Sequence, residues 1–323
     1  MALKFEIRPY RLELRIPLRT ARGAHRIREG FLVLAHDGER TGRGDAAPLP
    51  EMGTESLEEC ARQLREARAD ALPRAPAARC AVEQALLDLK AQREGVPLAR
   101  LLEAKAPSRV PASALLSSSA IPDLAREAQA AVAEGFGTLK VKVGLEDDHA
   151  RAAVVRDAAG PQVKLRLDAN GAWDAATALR RLRELAPLDI ELCEQPTPDL
   201  LGLSASPIAL AADEMVASDP DGALRRARVL VLKPMLLGGL TVALALARRA
   251  HECGLQVVVT SALEGAVGRA GAAHLAAAVL ALGPQPAAGL ATGRLFAPGP
   301  DADPFAPRHG AVQIPDRPGL GLP

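Results

Sequence analysis

The chain has 323 residues, enough for a large domain with a smaller one attached, and 48% of them are hydrophobic, so it can bury a sizeable core. Lys and Arg number 40 against 39 Asp and Glu, a formal charge of +1 that gives no global field for nucleic acid or an anionic membrane, and aromatic residues at 2% leave few platforms for stacking bases. The first residues lack a signal peptide's apolar core, no apolar run approaches the ~18–20 residues of a membrane span, and the four cysteines show no CxxC or disulfide spacing; a cytoplasmic protein with buried thiols is expected.

The chain opens with alternation. Leu12, Leu14 and Ile16 fall on one face and Arg11, Glu13 and Arg15 on the other, the period of a half-exposed strand. A second strand is expected from Phe31 to Ala35, a hairpin turn at Asp37-Gly38, and a return strand toward Gly44 and Ala46. Thr20 to Gly30, with Arg22, His25, Arg26, Arg28 and two glycines, reads as a cationic, flexible loop. Ser56-Leu57-Glu58-Glu59 is a capping box opening a helix, and Val82, Ala85, Leu86 and Leu89 mark the apolar face of another that Gly95 ends. Residues 1–105 therefore read as an α+β unit.

From Arg109 the rhythm becomes strand, helix, strand, helix. Strands are expected at Val110–Leu116, Leu139–Val143, Val163–Leu167, Ile190–Cys193, Ile208–Ala211, Val229–Leu232 and Leu255–Thr260, with a weak one near Ala287–Leu290. Helices are expected between them, among them Asp123–Glu134, Asp147–Ala159, Ala175–Leu185, Leu240–Cys253 and Ala266–Leu282. Eight such steps indicate an α/β fold, a closed (β/α)7β TIM-like barrel over residues 106–295. No GxGxxG follows a strand, which argues against a dinucleotide-binding sheet. The proline-rich tail, residues 296–323, is expected to wrap back as coil and complete the first domain.

The chemistry lies at the strand ends. Lys140 and Lys142 are two apart in an apolar run, so in a strand both ammonium groups project to one side. Two cations about 7 Å apart repel by roughly 2 kcal/mol at an effective dielectric of about 20, enough to lower one lysine's pKa and make it a base. An edge strand that discourages aggregation would show the same pair. The other strand ends decide between them. Asp168, Glu194, Asp213, Lys233 and Ser261 each follow an apolar run directly, at the C-terminal end where barrel active sites lie. Converging carboxylates from three neighbouring strands would repel unless a cation sat among them, and incomplete hard oxygen ligands suit Mg²⁺. Three independent helix N-caps are the plainer alternative, but Glu is a poor N-cap. A substrate carboxylate on the metal would lie between Lys142 and Lys233, and the pattern suits removal of a proton α to that carboxylate.

In order along the chain, Lys140-x-Lys142, Asp168-Ala169-Asn170, Glu194-Gln195-Pro196, Asp213-Glu214 and Lys233-Pro234 resemble the muconate-lactonizing subgroup of the enolase superfamily. Ala46-Pro48-Leu49-Pro50 with Glu55-Ser56 is similar to the end of that family's capping-domain hairpin, so the resemblance covers nearly the whole chain. It implies a capping domain on a modified barrel, Mg²⁺ (with Mn²⁺ as a substitute) at Asp168, Glu194 and Asp213, and acid/base roles for Lys142 and Lys233. Arg166, Lys233-Pro234 with Gly238-Gly239, and Thr260 to Glu264 followed by Val267-Gly268 are similar to the o-succinylbenzoate synthase family. That likeness implies dehydration of 2-succinyl-6-hydroxy-2,4-cyclohexadiene-1-carboxylate in menaquinone biosynthesis, with Lys142 abstracting the α-proton and Lys233 staying charged. Lys140, Arg166 and Asn170 would support the site. Ser261, Glu264 and Gly268 would contact the substrate, with Arg26 and Arg28 closing over its carboxylate.

The chain departs from that pattern at Ala262, where a third serine is common, and at Met215. A two-lysine site also serves N-succinylamino acid racemases and dipeptide epimerases, but an Asp-x-Asp pair typical of the latter is not evident around Ala291-Thr292-Gly293. A non-catalytic barrel holding a metal or small anion is the reading from another class. His149, His251 and His274 have no partner at metal-ligand spacing and read as structural. A small carboxylate is the expected partner of the chain, as a monomer or homo-oligomer.

Overall fold

Three antiparallel strands begin the chain: β1 (Lys4–Thr20), β2 (Gly23–His36) and β3 (Thr41–Ala46), in the order β1-β2-β3. The computed structural model describes residues 3–20, 23–297 and 303–322, without the side chains of 16–20 and 23–25. The expected cationic loop is mostly strand: Leu12 pairs with Arg28 and Glu13 with Ile27, and after a register shift Leu18 pairs with His25. Charged composition disguised the strand, in which Arg28 and Gly30 are buried with Glu29 exposed between them, while Arg26, nearer the hairpin end, is exposed. Arg22 and the side chains of Ile16 and His25 lie outside the described residues.

The helix Pro76–Glu94 lies directly on β3 because that strand carries glycines where it must. A Cβ on Gly42 would come within 2.0 Å of the Ala85 carbonyl oxygen, and one on Gly44 within 1.8 Å of that of Ala81. The helix ends at Gly95 in the left-handed conformation, φ 70°, as its sequence indicates. The shorter helix Leu57–Arg65 is capped by Ser56, whose side chain accepts the Glu59 N–H. Val33, Ala35, Leu49, Cys60, Leu64, Val82 and Ala85 form this unit's core, joined by Met235 and Ala262 from the barrel.

The remaining strands are β4 (Arg109–Pro111), β5 (Ala114–Leu116), β6 (Thr138–Lys142), β7 (Lys164–Asp168), β8 (Ile190–Glu194), β9 (Leu210–Ala212), β10 (Val229–Leu232), β11 (Gln256–Val259) and β12 (Ala311–Gln313). Strands β5 to β11 form one parallel sheet in chain order, with helices such as Asp148–Ala159, Ala175–Leu185 and Leu240–Glu252 between them and Ala266–Leu280 after β11. The sheet closes through residues 287–290. The Gly289 N–H reaches the Val259 carbonyl at 2.9 Å on one side, and the Ala288 N–H reaches Pro111 at 2.8 Å on the other. This is the weak eighth strand, present as single bridges to Ala112 and Thr260 rather than a ladder. The expected strand Val110–Leu116 is two: β4 turns away to pair with β12 while β5 enters the barrel.

The tail is accordingly not all coil. Beyond β12, Gly319 exchanges backbone hydrogen bonds with Leu98 and Val96, and Leu320 N–H donates to Asp88 at 2.7 Å. Buried His274 fastens it further. The Ala99 N–H donates to its Nδ1 at 2.9 Å, which leaves Nε2 to donate to the Leu320 carbonyl at 3.2 Å. No helix of the described residues is long and apolar enough to cross a membrane.

Candidate active site

Alternation along each barrel strand sends Leu192, Ala211, Val229, Val231 and Val258 into a separate small core inside the barrel. Continuing the same faces toward the strands' C-terminal ends gives the charged residues. Lys142 is in register with Asp168, Asp168 with Glu194, and Glu194 with Ala211, two residues before Asp213. Lys233 follows β10 directly. Thus five consecutive strands, β6 to β10, present Lys142, Asp168, Glu194, Asp213 and Lys233 in turn. Counting β5 as the first of eight strands, the two lysines stand on the second and sixth, on opposite walls.

All three carboxylates are buried and paired with lysines. Lys142 Nζ donates to Asp168 Oδ2 at 2.8 Å and to Asn170 Oδ1, while Lys140 Nζ lies 3.0 Å from Asp168 Oδ2 and also pairs with Glu194. Lys233 Nζ is held 2.5 Å from both oxygens of Asp213. Asn170 Nδ2 donates to Glu214 at 2.9 Å, linking the ends of β7 and β9. Burial works against the Lys140 ammonium, yet Asp168, Glu194 and Asp213 outweigh it and hold this lysine above its ordinary range. Burial is likewise overcome at Lys233 by Asp213, Glu214 and Glu194. Lys140, expected to support the site, does so by sitting between Asp168 and Glu194, whose charges outweigh any repulsion from Lys142. Asp168 is held below the usual carboxylate range, its burial outweighed by Lys140 and Lys142. Burial, with Asp168 and Asp213 adding to it, pushes Glu194 up to about 7 against the pull of Lys140.

The donor set fits a hard divalent ion. Asp168, Glu194 and Asp213 offer only oxygen, and with Glu214 these four carboxylates outnumber Lys140, Lys142 and Lys233. Glu214 Oε2 is buried without a hydrogen-bond partner, a free lone-pair donor beside the cluster. Lysine ammonium groups pair with all three carboxylates, and among the described residues no group of three His, Cys, Asp or Glu is arranged to hold a metal ion. An ion there would share or displace lysine contacts.

Two residues without a role in the sequence reading prove to be organisers. Gln195 sits at φ 41°, and its Oε1 accepts the Asp213 N–H at 2.8 Å while its Nε2 donates to the Thr197 carbonyl at 2.8 Å. It therefore ties the loop after β8 to the third carboxylate. Arg151 donates to the Lys142 carbonyl at 3.3 Å. Arg166 lies one layer below Asp168, where it pairs with Glu191 at 2.5 Å and donates to the Ala287 carbonyl at 2.7 Å. It braces the barrel wall and the closing segment.

The residues expected on the substrate side divide. Ser261 is buried and hydrogen-bonds Thr292, just beyond the neighbouring closing segment, and Arg26 is exposed. Arg28, by contrast, is buried and donates to the carbonyls of Ala47, Pro48 and Leu263 at 2.6, 3.2 and 3.2 Å, joining the first sheet to the seventh-strand loop. The Gly268 N–H does bind a carboxylate, but it is Asp45's, at 3.1 Å. Asp45 in turn accepts from Tyr10 at 2.6 Å, so a residue of the first domain caps the barrel helix Ala266–Leu280, whose own N-cap is Gly265. Glu264 accepts the Ala262 N–H, and burial, with the Asp45 charge adding to it, pushes its acid up to about 7.

The chain matches the family model described as Enolase C-terminal domain-like over residues 123–323, and that described as O-succinylbenzoate synthase, N-terminal domain, over residues 5–91. It is 36% identical over 313 residues to an o-succinylbenzoate synthase of Thermobifida fusca, covering 93% of this chain and 85% of that one. It is 32% identical to a hydrophobic dipeptide epimerase of Roseobacter litoralis, covering 96% and 99%. A dipeptide epimerase of Enterococcus faecalis, solved with Mg and the dipeptide L-Leu-L-Tyr, superposes with a TM-score of 0.91 at 27% identity, covering 99% of both chains.

Proposed function

The chain belongs to the enolase superfamily of enzymes, and from that premise we propose that it is an o-succinylbenzoate synthase that dehydrates 2-succinyl-6-hydroxy-2,4-cyclohexadiene-1-carboxylate with the help of Mg²⁺. The observation that carries this proposal is the arc of β6 to β10, with an amine on each wall and three carboxylates between them. Asp168, Glu194 and Asp213 would hold the ion, which supplies positive charge for the substrate carboxylate. Lys142 takes the α-proton, its Nζ aimed by Asp168 and Asn170. Lys233 stays protonated on the other face and stabilises the negative charge that develops there. The C–H bond and the C–O bond to the 6-hydroxyl break, a C=C bond completes the benzene ring, and Lys142 returns the proton so that water leaves.

The match of residues 5–91 to the synthase's N-terminal domain supports the dehydratase over its relatives. On this reading the enzyme serves menaquinone biosynthesis in the cytoplasm, with Mg²⁺ as its ion and Mn²⁺ able to substitute for it. One observation favours a second reading, racemisation of N-succinylamino acids or epimerisation of dipeptides: the Roseobacter epimerase is matched along 99% of its length. Against it, the closing segment after Leu290 continues as Ala291–Leu295, a 3-10 turn without carboxylates. Assay of the purified protein with Mg²⁺ on the cyclohexadiene carboxylate, beside N-succinylamino acids and dipeptides, separates the two. Epimerisation without dehydration would overturn the substrate assignment.

A further inference from the structure

Three backbone carbonyls at the catalytic rim converge on one guanidinium. Arg151, in the helix Asp148–Ala159 that follows β6, is 5% exposed. It donates from Nε to Lys142 at 3.3 Å, from Nη1 to Ser119 at 2.7 Å and from Nη2 to Ser118 at 3.0 Å. The first of these carbonyls has no ladder partner, for a simple reason. The Val143 N–H donates to Asp168, so Lys142 turns its carbonyl the other way, toward β5, which ends at Leu116 opposite Val141. The loop after β5 is gripped from both sides, because Glu127 accepts the N–H groups of Ser117 and Ser118, each at 3.0 Å from its Oε2. Asp148, 1% exposed, accepts the Leu145 N–H at 2.9 Å and pins the turn just past Lys142.

We propose that Arg151 is a positioning residue for Lys142, fixing the backbone from which the base's four-carbon side chain springs and locking it to the rim of β5. The proposal rests on Lys142 being the base. A lysine side chain has many rotamers, so the point where its ammonium arrives depends on where its backbone is held, and displacements near 1 Å are enough to matter for proton transfer. The same helix carries its own control. Arg156 donates to the carbonyls of Gly160, Val163, Leu188 and Asp189 at 2.8, 2.7, 2.9 and 2.8 Å, at the opposite end of the barrel. It is a brace of the same chemistry, remote from the base.

The experiment compares Arg151→Gln, Arg151→Lys and Arg156→Gln for kcat, KM, melting temperature and amide hydrogen exchange, with Mg²⁺ present. Arg151→Gln is expected to lower kcat by about tenfold or more with KM within about threefold, and Arg151→Lys to recover part of the loss. Arg156→Gln should lower the melting temperature with kcat within about twofold of the parent. Equal kcat losses in Arg151→Gln and Arg156→Gln, or an unchanged kcat in Arg151→Gln, would overturn the proposal. If the parent protein turns over none of the carboxylates tried, the dehydratase assignment fails by itself and hydrogen exchange decides. Faster exchange at residues 117–120 and 142–146 in Arg151→Gln but not in Arg156→Gln supports positioning, and unchanged exchange there refutes it.

Discussion

Protonation of His274 should uncouple the C-terminal tail from the barrel, and its magnitude can be worked from the site. The ring is fully buried and neutral, with the Ala99 N–H on Nδ1 and the Leu320 carbonyl on Nε2, so a proton on Nδ1 would break the first bond and bury a charge. Burial pushes its pKa down from 6.5 to about 4. The unfolded chain therefore binds this proton more readily than the folded one, and the imidazole's contribution to stability is intact above pH 6.5 and lost as pH falls toward 4. At pH 5 the loss is about 2 kcal/mol, rising to about 3 kcal/mol below pH 4. Glu264, whose folded pKa is raised to about 7, contributes with the opposite sign: its protonation stabilises the fold as pH falls through 7. Comparison of the parent with His274→Asn cancels that background, since Glu264 is common to both and the asparagine retains an acceptor for Ala99. Urea unfolding from pH 7.5 to 4.5 should show the parent losing about 2.5 kcal/mol more than the variant. A constant difference across the range would refute the picture of a neutral, tail-anchoring imidazole.

Lys140→Met leaves Glu194 without its lysine and should destabilise the metal-free protein by about 3 kcal/mol. Millimolar Mg²⁺ should restore more melting temperature in this variant than in the parent, with Trp173, three residues past Asn170, reporting binding by its emission; an equal or smaller metal shift would contradict the carboxylate site. Asp45→Ala removes the acceptor for both Tyr10 and the Gly268 N–H, and a loss of about 1–3 kcal/mol in urea is expected. A change below about 0.5 kcal/mol would mean that this interdomain cap is not stabilising.

The barrel was legible because its strands are short apolar runs, five of which, β6 to β10, end on a charged residue or are followed directly by one, and a period of two carries Lys140 to Lys142 and Arg166 to Asp168. What remained hidden depended on partners distant in sequence. Arg28 looks like a free loop cation until β2 places it against carbonyls from residues 47, 48 and 263. Gly268 was expected to contact the substrate, and nothing local says that its N–H is taken by Asp45 of the first domain. The lysine pair was identifiable as chemistry and Lys140 as a support of the site, whereas which carboxylates it pairs with, Asp168 and Glu194, follows only from the fold. Arg151 carries no motif at all, since its role arises from β5 ending one residue too early to pair with Lys142.

The most direct test of the catalytic site is the dehydration assay on the parent protein and Lys142→Ala, each with Mg²⁺ and the cyclohexadiene carboxylate. Turnover by the parent and a loss of at least about a thousandfold in Lys142→Ala, with the variant still folded, is the expected result. Dehydration that survives in Lys142→Ala within about tenfold of the parent would contradict the assignment of this lysine as the base.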